Sequence, residues 1–565
     1  MHFISRLAAV TAFAMTTIIT FAAHGAASRN GVGPFLGRPG VTITNEGRLR
    51  VTHPRTGEVI ISPRGPLYGR DTVQPSIQAK PVPGGLDIVA KYRNNTGSAR
   101  SLGVLTLTCP TIDRQAQWYD FRRGTEIGAI DHKDGPIIRG YHPYPSDLYS
   151  PVAIIADDTL AIGASLLYNP LEYQHEVFTL VRAAGFDRTT PAAPGESERE
   201  WLWQVSFLLK GELAAGESRT YTLAVRFAQP RNAMSTLRPY ADYFRETHGQ
   251  VAYTKDPRPV KGYSFAQVHN QSSANPRGFT YGTRRPDMHG FAPWAETLRA
   301  SVAASGYDRI MIWALSGLHR NDNLNYPPAF VTGADRFTPA RRSRGQIRAL
   351  RRENIDIGLW WGRSQQVMEG WHSDQIEFLD PQNRAHTRKA ITELESAAVY
   401  SPSEIGLDAF AYHPVWEAAP WLERLQQTLP SARFITEPSS NDILHRMAPT
   451  WVNATEVTAT NELANMVNPG HETWAGVRFD ILQGRLGRPI TQDERRNELE
   501  RLIDLGFVPV LLGESPYPRN VNAPANDDSL AQDEPSDTAE PGPRKAEREI
   551  ARPGWLRRQA THPPE

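Results

Sequence analysis

The chain has 565 residues, 40% hydrophobic and 22% charged, a composition that suits a folded protein of two or three domains. Its formal net charge of +1 gives no electrostatic reason to expect a nucleic acid or an anionic membrane as partner. Cys109 is the only cysteine, which excludes an internal disulfide; set in the strand-like run Leu105–Pro110, it is expected to be a buried thiol rather than a nucleophile.

Arg6, the mostly apolar run Leu7–Ala23 and the small residues Gly25, Ala26 and Ala27 form the pattern of a secretory signal over residues 1–27. That implies a secreted or periplasmic location. No later stretch reaches about 18 unbroken apolar residues, so no membrane span is expected. Residues 30–230 show short β-branched runs between turn residues, as in Val41–Ile43, Leu49–Val51, Glu58–Ile61 and Leu86–Tyr92. Trp201–Leu209 and Tyr221–Phe227 alternate in the same way. This spacing predicts an antiparallel β-sandwich with no strong helix before about residue 231. Residues 231–260 predict a helical linker, with Leu237, Tyr240, Ala241 and Phe244 on one face and Pro257 and Pro259 closing it.

Strands and helices alternate from 261 to 520. Strands are expected at Tyr263–Asn270, Arg309–Ala314, Ile355–Gly362, Gly406–His413, Phe434–Glu437, Trp451–Val457, around Val477–Ile481, and at Phe507–Leu512. Helices are expected at Pro293–Ser305, Thr338–Glu353, Pro381–Val399, Pro420–Leu429 and Glu494–Leu505. About eight such units over some 260 residues predict a (β/α)8 TIM-type barrel. The fold class is thus α/β, an N-terminal sandwich followed by a barrel. No Gly-rich phosphate loop follows the first strand, which argues against a nucleotide fold. Residues 521–565, rich in Pro, Asp, Glu, Ala and Arg, are expected to be a disordered tail.

Barrel chemistry sits where strands end, because the βα loops open there. The strand-end candidates are His269, Asn270, Trp313, Trp360, Trp361, Arg363, Tyr412, His413, Glu437 and Glu514, with Glu456 and Asp322 as weaker ones. Trp360 and Trp361 point in opposite directions on a strand, so only one can face the interior. Carboxylates among tryptophans suit a saccharide, whose C–H faces stack on indoles while its hydroxyls need polar partners. Cleavage of a glycosidic bond usually takes two carboxyl groups. The run Asn321-Asp322-Asn323 is a weak calcium signal that reads better as a turn, no other metal-binding pattern is present, and neither a metal nor a cofactor is expected.

The segment Gly406-Leu407-Asp408-Ala409-Phe410-Ala411-Tyr412-His413 resembles the Gly-x-Asp-Gly-Phe-x-x-Asp strand of secreted (β/α)8 glycoside hydrolases that carry an N-terminal β-sandwich, the α-galactosidase-like group among them. Asp380-Pro381-Gln382-Asn383 and Asn325–Phe330 are similar to two further segments of those enzymes. The resemblance covers roughly residues 260–515. It implies an exported glycosidase with a carbohydrate substrate and Glu437 as the acid/base. It places the nucleophilic Asp at position 413, which is His here, while Asp408 matches an earlier, outward and structural acidic residue. Alternation agrees with that: Ala409, Ala411 and His413 share one strand face, Asp408, Phe410 and Tyr412 the other. The catalytic candidates are therefore Glu437, Asp408 and Glu514. A non-catalytic glycan-binding barrel, or a polysaccharide lyase using His413 or Tyr412 as base, are the alternatives. The oligomeric state is left open.

Overall fold

The computed structural model describes residues 40–43, 49–53, 57–62, 72–110, 112–113, 116–119, 121, 129–130, 137–187, 199–264, 291–313, 338–368, 376–438, 441–454, 457 and 460–512. The first part is two antiparallel seven-stranded sheets. One sheet centres on Arg100–Cys109, Arg199–Leu213 and Val177–Asp187, the other on Gly85–Arg93, Ser218–Ala228 and Ala161–Leu167. Alternate residues such as Leu86, Ile88, Ala90 and Leu105, Leu107, Cys109 turn into one shared core. Cys109 is buried there, and burial pushes its thiol up to about 12.

A 3-10 segment (Pro230–Leu237) and a helix (Arg238–His248) then lead to a closed barrel of eight parallel strands. In order these are Val260–Ser264, Arg309–Trp313, Asp356–Trp361, Glu404–Leu407, Arg433–Thr436, Thr450–Asn453, Thr473–Arg478 and Val508–Leu512. Several expected bounds need correction. The seventh strand is Thr473–Arg478, and the chain from Phe479 is helical. The fourth strand stops at Leu407. The helix expected to start at Pro381 begins at Arg384, where the Asn383 side chain accepts the Ala385 N–H as N-cap. The first strand ends at Ser264 among the described residues, and His269 and Asn270 lie outside them.

Inward-facing residues fill the cylinder in layers. The lowest holds Arg309, Glu404 and Arg433, with Glu472 just before strand seven. Above it, Trp313, Trp360 and Trp451 pack together, Trp313 and Trp360 stacked with centroids 5.1 Å apart. Such bulk fits only because neighbouring strands offer glycine. A Cβ on Gly406 would lie 2.0 Å from the Trp360 ring, and one on Gly476 2.2 Å from Trp451. Gly406→Ala is therefore expected to cost about 1–3 kcal/mol by forcing Trp360 from its place. Urea unfolding checks this, and an unchanged midpoint would contradict the packing. Trp361 faces outward into the layer between barrel and helices, as alternation requires.

Sandwich and barrel share one continuous core. Ile154 and Tyr149 from the first, Leu237 and Phe244 from the connecting segment, and Ile443 and Leu463 from the barrel helices belong to it. Among the described residues no helix is long and apolar enough to cross a membrane.

Candidate active site

Inward-facing positions alternate along strand four as Glu404, Gly406 and then Asp408, and along strand five as Arg433, Ile435 and then Glu437. The two strands pair in parallel, Leu407 beside Thr436. The next residue of each, Asp408 and Glu437, therefore stands at the carboxyl end of the barrel on the interior side. Their side chains are hydrogen-bonded to each other. Trp360 is paired with Gly406, one inward step below Asp408, so the tryptophan layer forms the floor beneath the pair.

The backbone around the pair is tightly specified. Arg363 at φ 54° donates its N–H to the Asp408 carboxylate at 2.7 Å. The Ser364 hydroxyl and N–H both donate to the Asp408 carbonyl, at 2.8 and 3.1 Å. Ala409, at φ 56°, turns the chain sharply and donates its N–H to the Glu437 carboxyl. The Glu437 N–H donates to Leu407 O at 3.0 Å, and its carbonyl accepts the Ala411 N–H at 3.1 Å. Two non-glycine residues in left-handed conformation beside one carboxyl pair mark backbone strain held by its surroundings. Neither Ser364 nor Ala409 was singled out from sequence; a left-handed Ala carries no compositional signal.

Burial, then the neighbouring Asp408 charge and the hydrogen bond to it, push Glu437 well above the ordinary carboxyl value of 4.5. Two carboxyl groups in contact cannot both ionise cheaply, and that repulsion adds to burial in favouring the protonated form of Glu437. A folded value above the unfolded one means that this group's stabilisation is present below pH 4.5 and is lost as pH rises through the folded value. Glu437→Gln removes that loss. The variant is expected to melt higher than the parent at alkaline pH and to lose the advantage below pH 4.5. Melting curves on both sides check it; a constant difference would count against the buried proton.

The other candidates fall elsewhere. The reading that carried strand four to residue 413, with His413 at the rim and Asp408 outward, is corrected: the chain leaves the strand at Asp408 and makes a 3-10 turn over Phe410–Tyr412. His413 is 3% exposed, its ring 4.6 Å from that of Phe378 and 5.8 Å from that of Phe410, with no hydrogen-bond partner on either nitrogen among the described residues. Burial pushes it down to about 3, so it is neutral. Tyr412 is exposed. Trp313 and Trp360 lie in the floor and Trp361 behind it, while Arg363 adjoins the pair and its charge favours the ionised form of Glu437. Glu514, Glu456, Asp322, His269 and Asn270 lie outside the described residues. Among the described residues no group of three or more His, Cys, Asp or Glu side chains is placed to hold a metal ion.

At the opposite, amino-terminal end a cavity of about 440 Å³ is lined by Lys255, Asp256, Asp356, Glu404 and Arg433. Those side chains belong largely to the ion pairs that close the barrel floor, the end where barrels invest in stability.

No family model matches the sequence, and no curated protein matches it. Solved structures are similar to it. The α-galactosidase of Thermus thermophilus, in complex with p-nitrophenyl α-D-galactopyranoside, is 13% identical with a TM-score of 0.44, over 83% of this chain and 91% of that one. A GH36 α-galactosidase of Geobacillus stearothermophilus in complex with stachyose is 12% identical with a TM-score of 0.47, over 88% and 70%. The ligand-free α-N-acetylgalactosaminidase of Bifidobacterium bifidum is 11% identical with a TM-score of 0.49, over 86% and 90%. These three solved structures are glycosidases of low sequence identity, and the fold of this chain stands on the strand order described above.

Proposed function

We propose that the chain is an exported glycoside hydrolase in which Asp408 and Glu437 work as one proton-holding unit. The observation that carries this reading is the inward-facing carboxyl pair above a tryptophan floor at the carboxyl end of a closed barrel. Export rests on Arg6 and the apolar run Leu7–Ala23.

In this reading the proton on Glu437 passes to the glycosidic oxygen as its bond to the anomeric carbon breaks. Asp408 stabilises the positive charge developing on the sugar. Glu437, now a carboxylate beside Asp408, takes the proton back from the water that adds at the anomeric carbon. Atoms and charge then balance, and the pair returns to its one-proton state. A bonded pair is closer than the roughly 5–5.5 Å of carboxyls that flank a sugar in retaining enzymes, so the two stand on one side of it. A carboxyl for the opposite face belongs to the proposal, with Glu514 and Glu456 as its sequence candidates.

The test is a panel of aryl and oligosaccharide glycosides of both anomeric configurations, with product analysis. Release of a reducing sugar by the parent, lost in Glu437→Gln, supports the reading. Unsaturated products absorbing in the ultraviolet would replace it with a lyase, and binding without turnover would replace it with a glycan-binding barrel.

A further inference from the structure

The barrel segment after Glu437 is anchored on the sandwich as well as on the barrel. Four residues beyond Glu437, Asn441 donates its side-chain N–H to Pro145 O at 3.1 Å. The next residue, Asp442, is fully buried and donates its backbone N–H to Tyr149 O at 3.0 Å. Its carboxylate accepts three hydroxyls: Tyr144 at 2.8 Å, Ser150 at 2.7 Å and Tyr240 at 2.6 Å. Tyr144 and Ser150 come from the sandwich, Tyr240 from the connecting helix. Asn468 adds bonds to Asp442 O at 2.9 Å and to the Tyr149 hydroxyl at 2.8 Å.

The sandwich side is itself braced. The turn after Tyr144 is closed by the Asp147 and Leu148 N–H groups on Pro143 O, at 2.8 and 2.9 Å. His142 meets Asp147 at 2.6 Å, and Ser146 donates to Glu176 at 2.6 Å. Glu437 is fixed to the end of strand four through its N–H on Leu407 O, and to the turn that follows through its carbonyl, which accepts the Ala411 N–H. Glu437 is therefore held by the barrel, while Asn441 and Asp442, four and five residues further on, are held by the sandwich. Three donors on one buried carboxylate define one position, and losing one of them leaves a buried acceptor short.

We propose that the sandwich is a positioning element of the active site: Tyr144, Ser150 and Tyr240, acting through Asp442, set the place of Glu437 beside Asp408. The catalytic consequence rests on the glycosidase reading; the placement of Glu437 does not. Misplacement of a reacting group by about 1 Å can cost 100-fold in rate, so a partial release of the clamp is expected to show in kcat.

Ser150→Ala and Tyr240→Phe each remove one hydroxyl with little change of shape. Each is expected to lower kcat at least about tenfold with KM close to the parent, and their double variant to lose more. Val205→Ala, in the sandwich core away from the clamp, is the control. It lowers the melting temperature but leaves kcat per folded molecule and the pH profile unchanged. A second arm needs no substrate: the Glu437 carboxyl stretch, assigned by difference against Glu437→Gln, is titrated by infrared spectroscopy. The clamp variants are expected to shift its midpoint and the control to leave it. Parent-like midpoints in folded clamp variants overturn the proposal, whatever the substrate panel gives. Shifted midpoints in a chain that cleaves no glycoside sustain the placement and refute only the glycosidase reading.

Discussion

Glu437→Gln is expected to lower turnover by about 10²–10⁴-fold while saccharide binding stays near that of the parent. Gln keeps the shape and can still donate a hydrogen bond to Asp408, but it has no proton to give to a leaving oxygen. Asp408→Asn should be comparably damaging for two reasons. It removes the charge that stabilises a developing cation. It also removes the main neighbour that keeps the proton on Glu437, since Asp408 supplies both the repulsion and the hydrogen bond that push Glu437 upward. Because Asp408 acts on the proton of Glu437, their effects should not add. The double variant is expected to be no slower than the slower single variant. Full activity in either single variant, on a substrate the parent cleaves, would remove the assignment.

Arg309→Met is expected to cost about 3–5 kcal/mol of stability. Arg309 is 1% exposed at the barrel floor. Its guanidinium bonds Glu404 at 2.6 Å and Glu472 at 2.9 Å, and lies 4.8 Å from the centroid of the Trp474 ring. Arg433 bridges the same two carboxylates. With both arginines present, burial still pushes Glu404 up to about 7 and raises Glu472, with Arg309 the strongest opposing influence on each. Removing Arg309 leaves two buried carboxyls with one cation. Both then take protons more readily in the folded chain, so the destabilisation should grow as pH rises past 7. Urea unfolding at two pH values measures it. A loss below about 1 kcal/mol would mean that the floor of the barrel tolerates unpaired charge.

Much of the barrel was legible because its strands are parallel and covered on both sides. Runs such as Arg309–Trp313 and Val508–Leu512 are almost wholly apolar, bounded by turns and helices, and that pattern needs no partner to be read. Strand seven was placed too late because Gly476 interrupts it, and the need for that glycine lies in Trp451 on the neighbouring strand. Strand four was read too long because Leu407, Ala409 and Ala411 continue to alternate with larger or polar residues. What stops the strand is the left-handed turn at Ala409, with its N–H on Glu437 from the next strand. That one error of extent hid the site, since it turned Asp408 outward and brought His413 forward. Glu437 was found because an apolar run ends at a lone carboxylate. Its pairing with Asp408 depends on the register of two strands that no local pattern encodes.

The proposed chemistry needs a proton held on Glu437 beside Asp408, and infrared titration of the carboxyl region reads it most directly, with Glu437→Gln to assign the band. The expected result is a Glu437 midpoint well above 4.5 in the parent that drops in Asp408→Asn. A midpoint near 4.5 in the parent, unmoved when Asp408 is changed, would contradict the pair and the chemistry built on it.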